Sequence, residues 1–170
     1  MPDNLQLKAM EKEDIPFVHR LVNDPDIMSY WFAEPYQTKE QLEDKYMKSK
    51  DSNDVRLFIL KKDEEQLGFV TFFAIDLIHR KAEFAIIIDP AHQGFGYSGK
   101  ATKLAMRYAF CTLNLHKLYL LVDEINEKAI HVYRKVGFKK EAFLKDEFFV
   151  NGTYHHAVMM SIFQEEYLNS

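Results

Sequence analysis

Gly94, Gly96 and Gly99 stand just ahead of a helix-like run and just after Ile86-Ile87-Ile88-Asp89-Pro90. Strand, glycine loop and helix N-terminus form the order that binds phosphate. Glycines let the backbone approach an anion, and the free N–H groups and dipole of the helix point at it. A structural turn alone does not call for three glycines beside a helix start. Gly94-x-Gly96-x-x-Gly99 has the spacing of the dinucleotide fingerprint, with Asp123 near the place of its ribose-binding acid. Gly94-x-x-x-x-Gly99-Lys100 approaches a triphosphate loop, but Ala101 replaces the hydroxyl residue that would hold Mg²⁺. Chain length argues against both. A dinucleotide fold needs several further βα units of roughly 30 residues each, and too little chain follows Gly99. The spacer Asp89-Pro90-Ala91-His92 also parts strand from loop, where nucleotide folds turn almost directly.

Other residues carry chemistry in their type or position. Glu83 is a carboxylate opening an apolar run. Tyr133 shares a helix face with Ile130, which by itself is the pattern of a core tyrosine. The seven histidines show no metal spacing: His155 and His156 point to opposite faces of a strand, and no His-Glu-x-x-His occurs. No catalytic metal is expected. The one cysteine, Cys111, has no partner for an internal disulfide; it reads as a small core residue on a helix, and a reducing cytoplasm fits it.

The elements that must position these groups follow from periodicity. Leu5 to Ala9 alternates as a strand, and Ile15, Val18, Leu21 and Val22 recur at helical spacing. Asn23-Asp24-Pro25-Asp26 ends that helix, and Ile27 to Phe32 is a short aromatic-rich segment. Thr38-x-x-Gln41 is a capping box for the next helix. Val55 to Lys61 and Leu67 to Ile75 pair across a turn at Asp63 to Gln66, the second strand interrupted by Gly68; Ala82 to Ile88 is the central strand. A helix from about Gly99 to Leu113, a strand from Leu118 to Val122, and a helix capped by Asn126 and ended by Gly137 come next. Lys139 to Val150 and Tyr154 to Phe163 flank Asn151-Gly152, a strong hairpin signal. An antiparallel block joined to two strand–helix units is an α+β fold with a mixed central sheet flanked by helices. The 170 residues suit a single domain spanning 1–170. A hydrophobic content of 47% excludes disorder, and a net charge of −4 argues against nucleic-acid binding. No apolar run approaches the roughly 20 residues of a membrane span, so no membrane partner is expected. Met1-Pro2-Asp3-Asn4 lacks the start of a signal peptide, which again points to the cytoplasm.

The loop also matches a third pattern. Gln93-Gly94-Phe95-Gly96-Tyr97 resembles the Q/R-x-x-G-x-G/A pyrophosphate loop of GCN5-related N-acetyltransferases (GNAT), with Ser98 in place of the final Gly or Ala. The order of elements is that of the same superfamily. More closely, the sequence resembles bacterial spermidine N-acetyltransferases. The likeness lies in Met28-Ser29-Tyr30-Trp31-Phe32, His79-Arg80-x-Ala82-Glu83-Phe84, Leu113 to Tyr119, Asn126 to His131 with Tyr133, Gly137-Phe138 and Glu147-Phe148-Phe149-x-Asn151-Gly152. The Gln-Gly loop identifies only the superfamily; the Tyr-Trp-Phe and Glu-Phe-Phe stretches are more specific.

The resemblance implies acetyl transfer from acetyl-CoA to a primary amine of a polyamine, spermidine or spermine. It implies pantetheine along Ile86, Ile87 and Ile88, and pyrophosphate on Gln93, Gly94, Phe95, Gly96, Tyr97, Ser98 and Gly99. Asn126, Lys128, Ala129, Tyr133 and Lys135 would line the rest of the cofactor site. A free alkylamine has a pKa of about 10.4, so roughly one molecule in a thousand is neutral near pH 7.4. Glu83 is the candidate proton acceptor, or a counter-charge without proton transfer. Tyr133 stands where the family carries its general acid for the departing thiolate. A backbone N–H of the central strand would stabilise the oxyanion. A polycation needs carboxylates and aromatic faces; Met28, Tyr30, Trp31, Phe32, Glu34, Tyr36 and Glu83 are the candidates. Ala33, Gln41 and Ala74 depart from the resemblance, since close relatives carry glutamates there that form a second, regulatory polyamine site. The resemblance also implies a homo-oligomer, with a dodecamer as the form it points to. Two other functions fit less well: acetylation of a protein N-terminus or other small amine, and a non-catalytic sensor of CoA or polyamine.

Overall fold

The computed structural model describes residues 4–31 and 33–170. Its strands are β1 (Leu5–Ala9), β2 (Arg56–Lys62), β3 (Glu65–Asp76), β4 (Lys81–Ile88), β5 (Lys117–Asp123), β6 (Lys139–Val150) and β7 (Thr153–Phe163). Its α-helices are α1 (Ile15–Val22), α2 (Pro25–Trp31), α3 (Lys39–Lys50), α4 (Tyr97–Arg107), α5 (Glu127–Lys135) and α6 (Gln164–Leu168). The strands form one sheet in the order β1-β2-β3-β4-β5-β7-β6. Every neighbouring pair is antiparallel except β4 and β5. A parallel pair needs a crossover, and α4 supplies it.

Alternation along the strands divides the core between the two faces of the sheet. Ile59, Phe69 and Ile87 pack with α1, α2 and α3. Val70, Phe72, Phe84, Leu118 and Leu120 face the other way, onto Ala105, Met106 and Ala109 of α4 and its continuation and Ile130 of α5. Gly68 does not interrupt β3. A Cβ there would stand 2.3 Å from the Ile87 carbonyl, so glycine lets β3 and β4 close up beside the bulge at Leu60/Lys61.

Several boundaries differ from expectation. The aromatic segment after Pro25 is a helix, α2, whose N-terminal N–H groups are held by the Asp24 carboxylate. The post-loop helix starts at Tyr97 and ends in a π-helical turn over Tyr108–Thr112. Cys111 lies in that turn and is exposed, not in the core; the wider turn buries Ala109 and Phe110 and swings the next residue outward. The capping box at Thr38 and Gln41 forms as its spacing requires. Asn151 and Gly152 both take positive φ, the geometry of a type I′ hairpin turn. Among the described residues no helix is long and apolar enough to cross a membrane, and no cluster of metal-ligating side chains occurs.

Candidate active site

The fork between β4 and β5 creates the site. The two strands pair only from Lys81↔Lys117 to Glu83↔Tyr119 and then part. Beyond the fork, Phe84 to Ile88 on one side and Leu120 to Val122 on the other line an open cavity of about 700 Å³. That volume suits a small-molecule site. Glu83 is the last paired residue, so its carboxylate stands at the apex, beside Phe73.

One end of the cavity is an anion cradle. Gly94 and Gly96 have φ of +86° and +77°, and nothing lies within 4 Å of where a Cβ would sit on either. Gly96 is the N-cap of α4, with no side-chain cap and no acid in the first turn. Backbone N–H groups of that turn therefore remain for a ligand's anion. The spacer upstream is fixed: Asp89, 5% exposed, accepts from Ala91 N–H and is paired with Arg20 Nη2 of α1 at 2.5 Å. Arg20 holds the Asp89 carboxyl below its ordinary range. These residues fit a pyrophosphate group. Gly99 lies outside the cradle, beside Val132 of α5 and its C-cap Val136, where a Cβ would make only ordinary contact at 3.9–4.0 Å.

The far wall comes from α5. Asn126 lines the cavity while its Oδ1 accepts from Ala129 N–H and caps the helix. Lys128, Ala129, Val132 and Tyr133 also line it. The Tyr133 ring packs edge-on against Phe84 and Phe138, at 6.2 and 5.9 Å between centroids. Burial pushes its phenol up to about 12, so it carries its proton at any working pH. Burial also pushes the Glu83 carboxyl up to about 7, helped by the nearby Glu147. Tyr119, opposite Glu83 in the ladder, is raised by burial and by Glu83.

The side expected to take an amine is less complete. Ile27, Tyr30 and Trp31 of α2 line the cavity. Met28 does not: it is 2% exposed, packs in the core beneath α1 to α3, and borders a separate apolar cavity of about 460 Å³. Glu34, Tyr36, Phe95 and Lys135 are exposed and outside the described lining, and the half-buried Gly99 is also outside it. Helical phase explains Met28 and Lys135, which fall on faces turned away from the cavity. Phe32 lies outside the described residues. Sequence reasoning missed Phe73, Leu120, Leu121, Val122, His92 and Phe148 as lining residues. The β5 trio could not be found without knowing where β5 parts from β4. Phe148 sits in the Glu-Phe-Phe stretch, whose likeness marks it without giving it a role. The second cavity is lined by Ala33 and, among its polar residues, by Gln37, Lys45 and Lys48, with no carboxylate among the described lining.

Comparison with known proteins agrees with this fold. Residues 4–139 match the acetyltransferase (GNAT) domain family. The spermidine N(1)-acetyltransferase of Escherichia coli K12 is 48% identical over 165 residues, 97% of this chain and 89% of that protein. The crystal structure of the Vibrio cholerae spermidine N-acetyltransferase with CoA and spermine superposes with a TM-score of 0.96 at 44% identity, covering 98% of this chain and 99% of that one. A dodecameric structure of the Vibrio cholerae enzyme in an intermediate state matches with a TM-score of 0.88 at 44% identity, over 98% and 97% of the two chains.

Proposed function

Because the chain belongs to the GNAT acetyltransferase family, we propose that it transfers acetyl from acetyl-CoA to a primary amine of a polyamine, and that the transfer takes place at the β4–β5 fork. The observation that carries the reading is one continuous cavity, which runs from an anion cradle at Gly94–Ser98 to an acid at Glu83 and aromatic faces at Tyr30 and Trp31. Acetyl-CoA supplies an activated thioester when bound. The gap-side backbone of Ile86 and Ile88 and the cradle at Gln93 to Ser98 hold it, with Asn126, Lys128 and Ala129 on the facing wall.

Glu83 accepts the proton of the incoming ammonium, directly or through water. A carboxyl near pKa 7 is a stronger base than an ordinary one and is still largely ionised above neutrality. An arriving polycation lowers that pKa and draws the carboxylate into its charged form. Tyr133 donates its proton to the departing sulfur. Its phenol is a weak acid, but the low-polarity surroundings that raise it also raise the proton affinity of the departing thiolate. A gap-facing N–H of β4 is placed to stabilise the oxyanion. Tyr30 and Trp31 offer faces to the rest of the polycation; Glu34 and Tyr36 serve only at the outer rim.

The chain acts as one domain and assembles as a homo-oligomer in the cytoplasm, where acetyl-CoA and polyamines meet; the lone exposed cysteine suits a reducing compartment. The test is thiol release from acetyl-CoA across spermidine, spermine, a short diamine and a peptide with a free N-terminus. Polyamines should turn over fastest. Release with the peptide alone, or with none of them, overturns the reading.

A further inference from the structure

The gap side of β4 has acceptors that are already engaged. Asp89 N–H bonds to the Leu67 carbonyl across β3, and Ile87 stands opposite Phe69 in the same ladder. Backbone groups alternate sides along a strand. Ile87 therefore faces β3, while Ile86 and Ile88 turn their N–H and C=O groups into the gap. Both gap carbonyls accept from side chains. Gln93 Nε2 reaches the Ile88 carbonyl at 3.2 Å, and Trp31 Nε1 reaches the Ile86 carbonyl at 3.1 Å. Gln93 belongs to the anion cradle itself. Trp31 comes from the opposite side, as the last residue of α2.

The two ends of α2 are held differently. Asp24 caps its start, and Ile27 and Met28 are buried in the core. At its far end Tyr30 is 60% exposed, and Trp31 is half-buried, with its ring 6.1 Å from Phe69 and its N–H on Ile86. The Ile86 contact is thus a latch on the less buried end of an anchored helix.

A chain carrying secondary amides binds an open strand edge by β-addition, its N–H groups on the strand's carbonyls. Pantetheine is such a chain. The Ile86 carbonyl has a second lone pair, but the indole that reaches it lies in the cavity and fills space along the same edge. We propose that Trp31 and pantetheine compete for the Ile86 edge of β4, so that cofactor binding unlatches the end of α2 and sets the position of Tyr30 and Trp31 on the amine side. Trp31 is then a positioning residue that makes the amine wall respond to the cofactor. The proposal rests on the acetyl-CoA reading above.

Trp31 is the chain's single tryptophan, so its emission reports the latch directly. The experiment is calorimetric and fluorescence titration of the full-length wild type and Trp31→Phe with two probes. One is CoA. The other is 3′-phosphoadenosine diphosphate, which has the nucleotide and pyrophosphate and lacks pantetheine. Trp31→Phe keeps a ring against Phe69 and removes the donor, and CoA should bind it about two- to tenfold tighter, the scale of one hydrogen bond. Affinity for the nucleotide probe should not change. Wild-type emission should shift with CoA and not with the nucleotide. Unchanged or weaker CoA binding in Trp31→Phe, or equal tightening with both probes, overturns the proposal. If the variant does not fold, the wild-type emission decides: a shift with CoA alone supports the latch, and no shift or the same shift with both probes overturns it. Failure of CoA to bind the wild type at all removes the acetyl-CoA reading along with the latch.

Discussion

The two walls of the fork are made of different material. The cofactor wall is backbone: the gap edge of Ile86 and Ile88, the glycine cradle and the first turn of α4. Its groups are fixed by strand pairing and by two positive-φ glycines, and the Arg20–Asp89 pair ties them to α1. The amine wall is side chain: Tyr30 and Trp31 on a seven-residue helix, followed by an exposed segment. Backbone geometry tolerates few substitutions, whereas a wall of side chains is free to change its charge.

The sharpest way to break the cofactor wall is Gly96→Val. A φ of +77° strains a β-branched residue even though the space is open. CoA binding should fall below detection by calorimetry, while circular dichroism stays native and stability drops by about 1–3 kcal/mol. Retained affinity in a folded protein would return the loop to a purely structural role.

Tyr133→Phe leaves both walls standing and removes one proton. Turnover should fall on the order of 10²-fold or more, with CoA affinity unchanged. Near-normal turnover under chemistry-limited conditions would make Tyr133 a packing residue against Phe84 and Phe138.

Those two predictions concern features that were legible in the chain. The glycine spacing, the Asn126 cap and the Asn151-Gly152 turn are local codes, each written in a few neighbouring residues. The fork was not legible, because where β4 leaves β5 depends on pairing across more than thirty residues of sequence. Leu120, Leu121 and Val122 therefore read as ordinary buried strand. The amine wall was read too broadly for a related reason. The aromatic run after Pro25 has the composition of a pocket, but helical phase sends Met28 into the core and leaves Tyr30 and Trp31 on the cavity. Cys111 was misplaced because a π turn shifts the buried face by part of a residue.

Glu83→Gln probes the apex where the walls meet, with a smaller effect. Turnover at neutral pH should fall about tenfold to a hundredfold. Stability should move the other way. The folded pKa is raised to about 7 from 4.5, so the folded state holds the proton longer. The stability tied to that proton is present below pH 4.5 and is lost as pH rises through 7. The substituted amide has no such proton to lose, so the variant should be the more stable protein above pH 7, by about 1–2 kcal/mol after allowance for water in the open cavity. Thermal melts at high and low pH check the sign, and a variant destabilised at both would remove burial as the cause.

The smallest expected effect concerns regulation. With no acid at positions 33, 41 and 74, a regulatory polyamine site of the kind the resemblance implies lacks its counter-charges. Each absent ion pair removes about 1–3 kcal/mol of charge-assisted bonding. Initial rate against spermidine at saturating acetyl-CoA should be hyperbolic. A sigmoidal curve, with more than one tight spermidine site per subunit, would show that other acids do this work.

The measurement that bears most directly on the fork as the place of reaction is the pH dependence of kcat/KM for spermidine in the wild type and Glu83→Gln. In the wild type the ammonium form, which dominates across this range, hands its proton to Glu83; the logarithm of the rate should therefore be nearly level above pH 7 and fall about one unit per pH unit below it, as Glu83 protonates. Without that base the reaction depends on the small supply of neutral amine, which falls steadily with acidity. In Glu83→Gln the slope should be uniform across that range. The same break in both proteins, or none in the wild type, would contradict a proton-accepting role for Glu83 at the apex.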